Sequence, residues 1–450
     1  MTLDEHVARG RDDLRRLVAI PSVSARGEGL GECAETVRGL LEEAGFRTEV
    51  HPGEIGPFVI GEIGSGPVVL MVYNHYDVQP EDPVALWESP PFELSERDGR
   101  WFGRGVADDK GEFASRLAGW RLFRERQPGP LPFRLIWVVD GEEEIGSPSL
   151  EVFLKHRFDG QRVDACWWEY GEIDSAGRPI ILCGFKGVLG LELRCRTARA
   201  DLHSSLGAVF DNPLWRLAAA TASMRDAAGR ILIDGFYTSV RAPRPGEMAM
   251  AADPPFTFES LIAATGGQRP LEGVDATTFF RAMNFEPCFN VNGFGGGYEG
   301  EGMKTVVPAE GFVKLDFRLV PDQDPKLIVP LVRAHLDRKG FQDIEIVVHD
   351  DVVKPVRSAP DHWLVGEART LLERHFRQPV IVQPSSPASG TAHPFVEQLG
   401  AAVIGIGLTH HGAMMHSPNE NIVREHFGTM VSFSADFFEA MGRKAAAASE

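Results

Sequence analysis

Two hydrophobic periods alternate along the first 185 residues. Residues 3–18 and 31–45 repeat their apolar positions at helical intervals, the signature of helices with one buried face. Pro67–Tyr73 (PVVLMVY) is apolar without a break, which predicts a strand covered on both faces. Helical spacing returns over 110–126, and Phe133–Val139 (FRLIWVV) predicts a second buried strand. A helix is expected near 147–157 and a further strand over Val163–Trp168. Strands alternating with helices in this way predict an α/β fold, an open and mostly parallel sheet flanked by helices.

The pattern changes near Lys186. Val188–Arg196 alternates apolar and polar residues, as a half-exposed strand does. A helix is expected over 212–226, then Pro/Gly-rich stretches at 242–255 and 293–302, and another alternating strand at 310–319. This mixture predicts an α+β insert over 187–356. From about 358 the first pattern resumes, with a helix at 361–376, strands at 379–382 and 402–407, and a long helix at 421–442. The chain therefore divides into one discontinuous α/β domain (1–186 and 357–450) and an inserted domain (187–356). The tail 445–450 is expected to fray.

Composition removes several classes of partner. Lys+Arg 46 against Asp+Glu 64 gives a net charge of −18, which disfavours nucleic acid and acidic membrane surfaces. The N-terminal segment mixes charges and has no apolar core of the signal-peptide kind, and no apolar run is long enough to span a bilayer. The cysteines, at 33, 166, 183, 195 and 288, are odd in number and form no C-x-x-C, so a disulfide framework or thiolate zinc site is not expected. These features predict a cytoplasmic protein.

The candidate chemistry gathers just after the strands, where open parallel sheets form their ligand sites. After 67–73 comes Asn74-His75-Tyr76-Asp77; after 133–139 comes Asp140-Gly141-Glu142-Glu143-Glu144; Glu169 follows Trp168; and the strand at 402–407 leads into His410, His411 and His416. Asp108-Asp109 opens the helix at 110. Each piece alone has an ordinary explanation, such as a helix cap or a solvated acidic turn. Together they would crowd anions into one cleft, at a large cost unless cations neutralise them. Imidazole and carboxylate without thiolate is the donor set of zinc or manganese in a hydrolytic site. Two such ions sharing one carboxylate would activate a water at neutral pH. Gly295–Gly300 matches G-x-G-x-x-G only literally: no helix follows, and Glu299 and Glu301 would repel a pyrophosphate.

In order and spacing, several segments resemble a known family. They are Tyr73–Pro80 (YNHYDVQP), Gly103–Gly111, Glu143–Ser147, Asp201–Ser204 (DLHS), Lys304–Pro308, Phe317–Pro321 and His416–Glu420. The chain resembles the dinuclear-metal peptidases and deacylases that include cytosolic nonspecific dipeptidase, carnosinase, succinyl-diaminopimelate desuccinylase and glutamate carboxypeptidase. The dipeptidase branch is the nearest in wording.

The resemblance implies the following roles. His75 would bind one ion with Asp77 orienting it, Asp108 would bridge two ions, and Glu144 and His416 would complete the second. The Asp108–Asp109 peptide would be cis. Glu169 is the favoured third acidic ligand, with Glu172 and Asp174 as competitors. Glu143 would be the general base for a bridging hydroxide. Arg318 would grip a substrate carboxylate, and Thr305, Gly390 and Thr391 would contact substrate. His203 would reach into a neighbouring subunit's site, making a homodimer with a lid and dimerisation insert. The cofactors would be two divalent ions, zinc first, with manganese or cobalt possible. The expected reaction is hydrolysis of dipeptides or short peptides. N-acyl amino acid deacylation on the same site, or a catalytically silent binding homologue, are the other readings. Relatives carry G-G-S or G-G-T where this chain reads Ser389-Gly390-Thr391, a departure that bears on side-chain specificity.

Overall fold

The computed structural model describes residues 1–448. In chain order, helices α1 (Leu3–Val18) and α2 (Leu30–Glu43) lead into strands β1 (Arg47–His51), β2 (Phe58–Ile63) and β3 (Val69–His75). Helix α3 (Lys110–Arg126), β4 (Arg134–Asp140), α4 (Leu150–Arg157) and β5 (Ala165–Trp168) follow, then β6 (Glu172–Ile173), β7 (Pro179–Leu182) and β8 (Gly184–Arg196). The insert continues with α5 (Pro213–Ser223), α6 (Phe258–Thr265), β9 (Cys288–Gly296), β10 (Glu310–Leu319), α7 (Pro325–Arg338) and β11 (Glu345–Val353). The chain closes with α8 (Trp363–Phe376), β12 (Ile381–Gln383), β13 (Ala402–Gly405), β14 (Thr409–His410) and α9 (Arg424–Ala448).

The main sheet runs β1-β2-β4-β3-β5-β13-β7-β6-β14, with β12 beside β7. Its centre, β4-β3-β5-β13, is parallel throughout. Antiparallel pairs β1-β2, β2-β4 and β13-β7 border that centre. The uninterrupted apolar runs become central strands because both faces are covered: Val72 and Trp137 face the core shared with α1, α3 and α9, whereas Met71, Ile136 and Cys166 face the one with α4. Helix α3 is buried on every side from Lys110 to Phe123.

The insert is an antiparallel sheet, β9-β10-β8-β11, with its own core of Leu191, Leu217, Phe317 and Val332. Strand β8 belongs to both halves. Residues 184–186 pair with 356–357 and with 386–389, and from Gly187 onward the strand pairs with β10 and β11.

Some boundaries differ from the sequence reading. His75 and Asp140 end their strands rather than follow them, since the β3–β4 ladder runs through that pair. The last helix starts at Arg424, because Asn421–Val423 pairs instead with 100–102. Ala445 is fully buried on α9, so the tail is helical to Ala448; the last two residues lie outside the described ones. Among the described residues the five cysteines are free thiols, and no helix is long and apolar enough to cross a membrane.

Candidate active site

Asp108 is the centre of the arrangement. Its Oδ1 lies 2.9 Å from His75 Nε2 and its Oδ2 lies 3.0 Å from His416 Nε2. Each imidazole has a second carboxylate beside it: Glu169 Oε2 is 3.7 Å from His75 Nε2, and Glu144 Oε2 is 3.2 Å from His416 Nε2. Potential ligand atoms of His75, Asp108 and Glu144 lie within 4.8 Å of one another, as do those of His75, Glu143 and Glu169. The side chain of His75 is sealed from solvent, while that of His416 is 54% exposed, so the cleft opens on the His416 side.

The supports are specific. The carbonyl of Asp77 lies 3.0 Å from His75 Nδ1. The carboxylate of Asp77 accepts the backbone N–H groups of Glu143 and Glu144 at 3.1 and 3.0 Å, aiming that turn into the cleft. Gln79 donates its side-chain amide to Glu144 Oε2 at 2.8 Å. The Asp108–Asp109 peptide is cis. Asp109 accepts from Asn74 Nδ2 and from the backbone N–H of His75, at 2.7 and 2.9 Å. Of the three consecutive glutamates, Glu142 turns away, accepting the N–H groups of Ile55, Gly56 and Ser149.

Two supports were not anticipated from sequence. Glu420, fully buried, accepts N–H groups from Gly105, Ala107 and Asp108 and pairs with Arg104 at 2.7 Å. It thereby shapes the loop that presents Asp108. Arg116 on α3 donates to the carbonyls of Tyr73, Trp168, Glu169 and Ile406, at the tips of β3, β5 and β13. An arginine inside a helix buried on all sides was the available signal for it, but burial of that helix is not readable locally. Glu420 stood in a recognised segment, with its partners more than 300 positions away.

Electrostatically the cluster is in conflict with itself. Burial pushes the carboxyls of Glu143, Glu144 and Glu169 up, and neighbouring acids add to it. Hydrogen bonds to Asp108 and Glu144 push His416 up to about 10. His75 is held well above its ordinary value by Glu169 and Asp108, although burial opposes this. Glu169 Oε2 is buried and has no hydrogen-bond partner. A buried, unpartnered carboxylate oxygen beside an imidazole is what a divalent cation would satisfy. The donor set of imidazole nitrogen and carboxylate oxygen fits such an ion.

The competing acids are engaged elsewhere. Glu172 accepts the hydroxyl of Tyr170 at 2.6 Å, and Asp174 pairs with Arg178 at 2.7 Å. Arg318, on β10, donates to Ser389 Oγ at 2.9 Å, linking the insert to the residues before Gly390. A side chain at Gly390 would meet the ring of Trp168 at 2.5 Å, so the backbone there must stay bare. Thr391 is buried with an unpartnered hydroxyl. His203 is exposed, and its Nδ1 lies 2.9 Å from Ser205 Oγ. Thr305 is exposed beside it, accepting from the N–H of Ser204. Among the described residues, neither His203 nor Thr305 has a hydrogen-bond partner in the acid–imidazole cluster.

The sequence profile of Peptidase family M20/M25/M40 matches residues 71–440. Cys-Gly metallodipeptidase DUG1 of Saccharomyces cerevisiae is 32% identical over 290 residues, 63% of this chain and 60% of that protein. The chain thus spans about three fifths of the length of that yeast relative. Beta-Ala-His dipeptidase of Rattus norvegicus is 29% identical over 401 residues, covering 85% of this chain and 79% of that one. Among solved structures, an M20 family metallo-carboxypeptidase, Sso-CP2 from Sulfolobus solfataricus, has a TM-score of 0.88 at 32% identity, covering 96% of this chain and 99% of the other.

Proposed function

The chain belongs to peptidase family M20/M25/M40, and from that premise we propose that it hydrolyses the peptide bond of dipeptides or short peptides bearing a free carboxyl terminus. The observation that carries this reading is the two-sided use of Asp108, one oxygen toward His75 and Glu169 and the other toward His416 and Glu144. That arrangement suits two divalent ions, zinc in preference to manganese or cobalt. When bound, they would polarise the scissile carbonyl and lower the pKa of a water.

The chain's own groups supply the rest. Glu143 is the general base: its buried carboxyl, raised above the usual range, accepts a proton from the attacking water and returns it to the leaving amine. Asp77 keeps Glu143 and Glu144 in register through their backbone N–H groups. Arg318 pairs with the substrate carboxylate, for which a guanidinium fork is suited. Gly390, bare because Trp168 packs against it, contacts substrate through its backbone, and Thr391 and Thr305 contribute polar contacts. His203 acts on the developing oxyanion of a partner subunit's site, so the working unit is a homodimer. Its exposure, outside the cluster of its own chain, agrees with that assignment. The free thiols suit a reducing, cytoplasmic setting.

A second reading, carboxypeptidase action on longer peptides, is favoured by the likeness to Sso-CP2. Both readings need the carboxylate grip and differ in how much chain the cleft admits. Turnover of dipeptides, tripeptides, pentapeptides and N-acetyl amino acids by metal-loaded protein separates them. Dipeptides foremost is the expected result; exclusive turnover of N-acyl amino acids would make the protein a deacylase. A purified protein that takes up no divalent metal would overturn both peptidase readings.

A further inference from the structure

A cavity of about 520 Å³ opens beside the ligand cluster, between the β6–β14 edge of the main sheet and α6 of the insert. We propose that it is a side-chain subsite that selects an apolar residue at the amino-terminal position of the substrate. This rests on the peptidase reading above. The walls include Tyr170, Ile180, Phe256, Leu261, Met414 and Met415. Two of them continue directly from the cluster: Tyr170 follows Glu169, and Met415 precedes His416. A substrate carbonyl held at the cluster therefore has this cavity next to it.

Apart from His411, the titratable groups of the lining are already engaged. Glu172 accepts the Tyr170 hydroxyl, and Asp174 is bound to Arg178. His410 lies 3.1 Å from Asn421 Oδ1 and accepts from the N–H of Gly412. His411 is exposed and adds no acid. The rest of the lining is mainly aliphatic, aromatic and thioether surface, with Ser175, Ser260 and Thr409 as its neutral polar members. Two unbranched, polarisable methionines adapt to side chains of different shape, so the subsite accepts leucine-like and phenylalanine-like groups alike. The volume lies within the range of small-molecule sites. None of Arg318, Ser389 or Gly390 lines the cavity. The residue whose carboxylate Arg318 holds is therefore placed elsewhere, and the cavity is left for the other residue.

The test fills the cavity from its open wall. Ala264 lies there on α6, exposed, so A264W adds bulk without disturbing a core. In metal-loaded enzyme, A264W should lower kcat/KM for Leu-Gly and Phe-Gly by about tenfold or more, and that for Gly-Gly by less than about threefold. Equal losses for Leu-Gly and Gly-Gly, or a loss confined to Gly-Leu, would overturn the assignment. A readout independent of turnover uses E143Q protein with 13C-methyl methionine. Saturating Leu-Gly should shift the Met414 and Met415 methyl signals, identified from M414L and M415L, whereas Gly-Gly should not. Unmoved signals would refute the subsite. If those signals move while wild-type enzyme cleaves no dipeptide, the subsite stands and the peptidase reading falls.

Discussion

Glu420→Gln is the most searching perturbation of the site, because it changes one oxygen of a buried carboxylate that is not itself a proposed ligand. Oε1 accepts from Ala107 and Asp108 at 2.8 and 3.1 Å, and Oε2 accepts from Gly105 at 2.9 Å and from Arg104 at 2.7 Å. A glutamine oxygen can keep the first pair. Its NH2 then faces the Gly105 N–H and the Arg104 guanidinium, donor against donor. Each buried donor left unsatisfied costs about 1–3 kcal/mol, and a buried charge stripped of its partner costs more. Arg104 is only 1% exposed, so water cannot replace the lost acceptor. The expected destabilisation is about 3–5 kcal/mol. At about 2 °C per kcal/mol for a large domain, the melting temperature of metal-free protein should fall by about 6–10 °C. Because the distorted loop carries Asp108, affinity for divalent metal should also drop about 10- to 100-fold, read by titration calorimetry. A variant that melts within about 1 °C of wild type and binds metal equally would refute the claim that Glu420 shapes this loop.

Further outcomes follow from the same geometry. Glu143→Gln should retain metal yet lose about 100-fold or more in kcat; near-normal turnover would remove Glu143 as the base. Arg318→Ala should raise KM for free-carboxylate peptides about tenfold more than for their amides, and equal effects would exclude a carboxylate grip. His203→Ala and Glu143→Gln copies, each inactive alone, should recover about a quarter of wild-type activity after subunit exchange, and no recovery would place His203 in its own chain's site or nowhere. His335 is buried against Ser223, and burial together with Arg338 holds it below its ordinary value. Folding therefore disfavours its protonated form, so the stability it contributes is complete above the unfolded value near 6.5 and declines as pH falls through it. H335Q should narrow the difference in melting temperature between about pH 7.5 and 5.5, and an unchanged difference would show that His335 is not part of that loss.

Much of this architecture is readable from local pattern. The runs around Leu70, Ile136 and Trp167 announce buried parallel strands because nothing polar interrupts them, and the acids and histidines at their ends mark the rim where ligands collect. Other features depend on distance. Helix α3 carries Lys110, Glu112 and Arg116 among apolar residues and looks like an ordinary surface helix, yet it is enclosed by α1, α9 and the sheet. Its cations are satisfied by backbone carbonyls: Lys110 by those of Leu17 and Ile20, and Arg116 by the strand tips. No window of sequence contains those partners. The segment 242–287 was opaque for a different reason. It has little periodicity of its own and takes its shape by laying Phe256, Phe258 and Phe279 together and by tying Asp253 to Arg178 of the main domain.

Strand β8 has a mechanical meaning. A single stretch of backbone pairs first with 356–357 and with 386–389, the segment that leads to Gly390, and then with β10 and β11, handing over its partners between Lys186 and Gly187. The insert is therefore not a lid on a slack tether but a lever whose axle is pinned at one end to the residues that lead to Gly390. Any swing over the cleft must be accommodated as torsion along that pinned strand. The depth to which substrate is enclosed is thus coupled to how far the strand can twist before its ladder on either side begins to open.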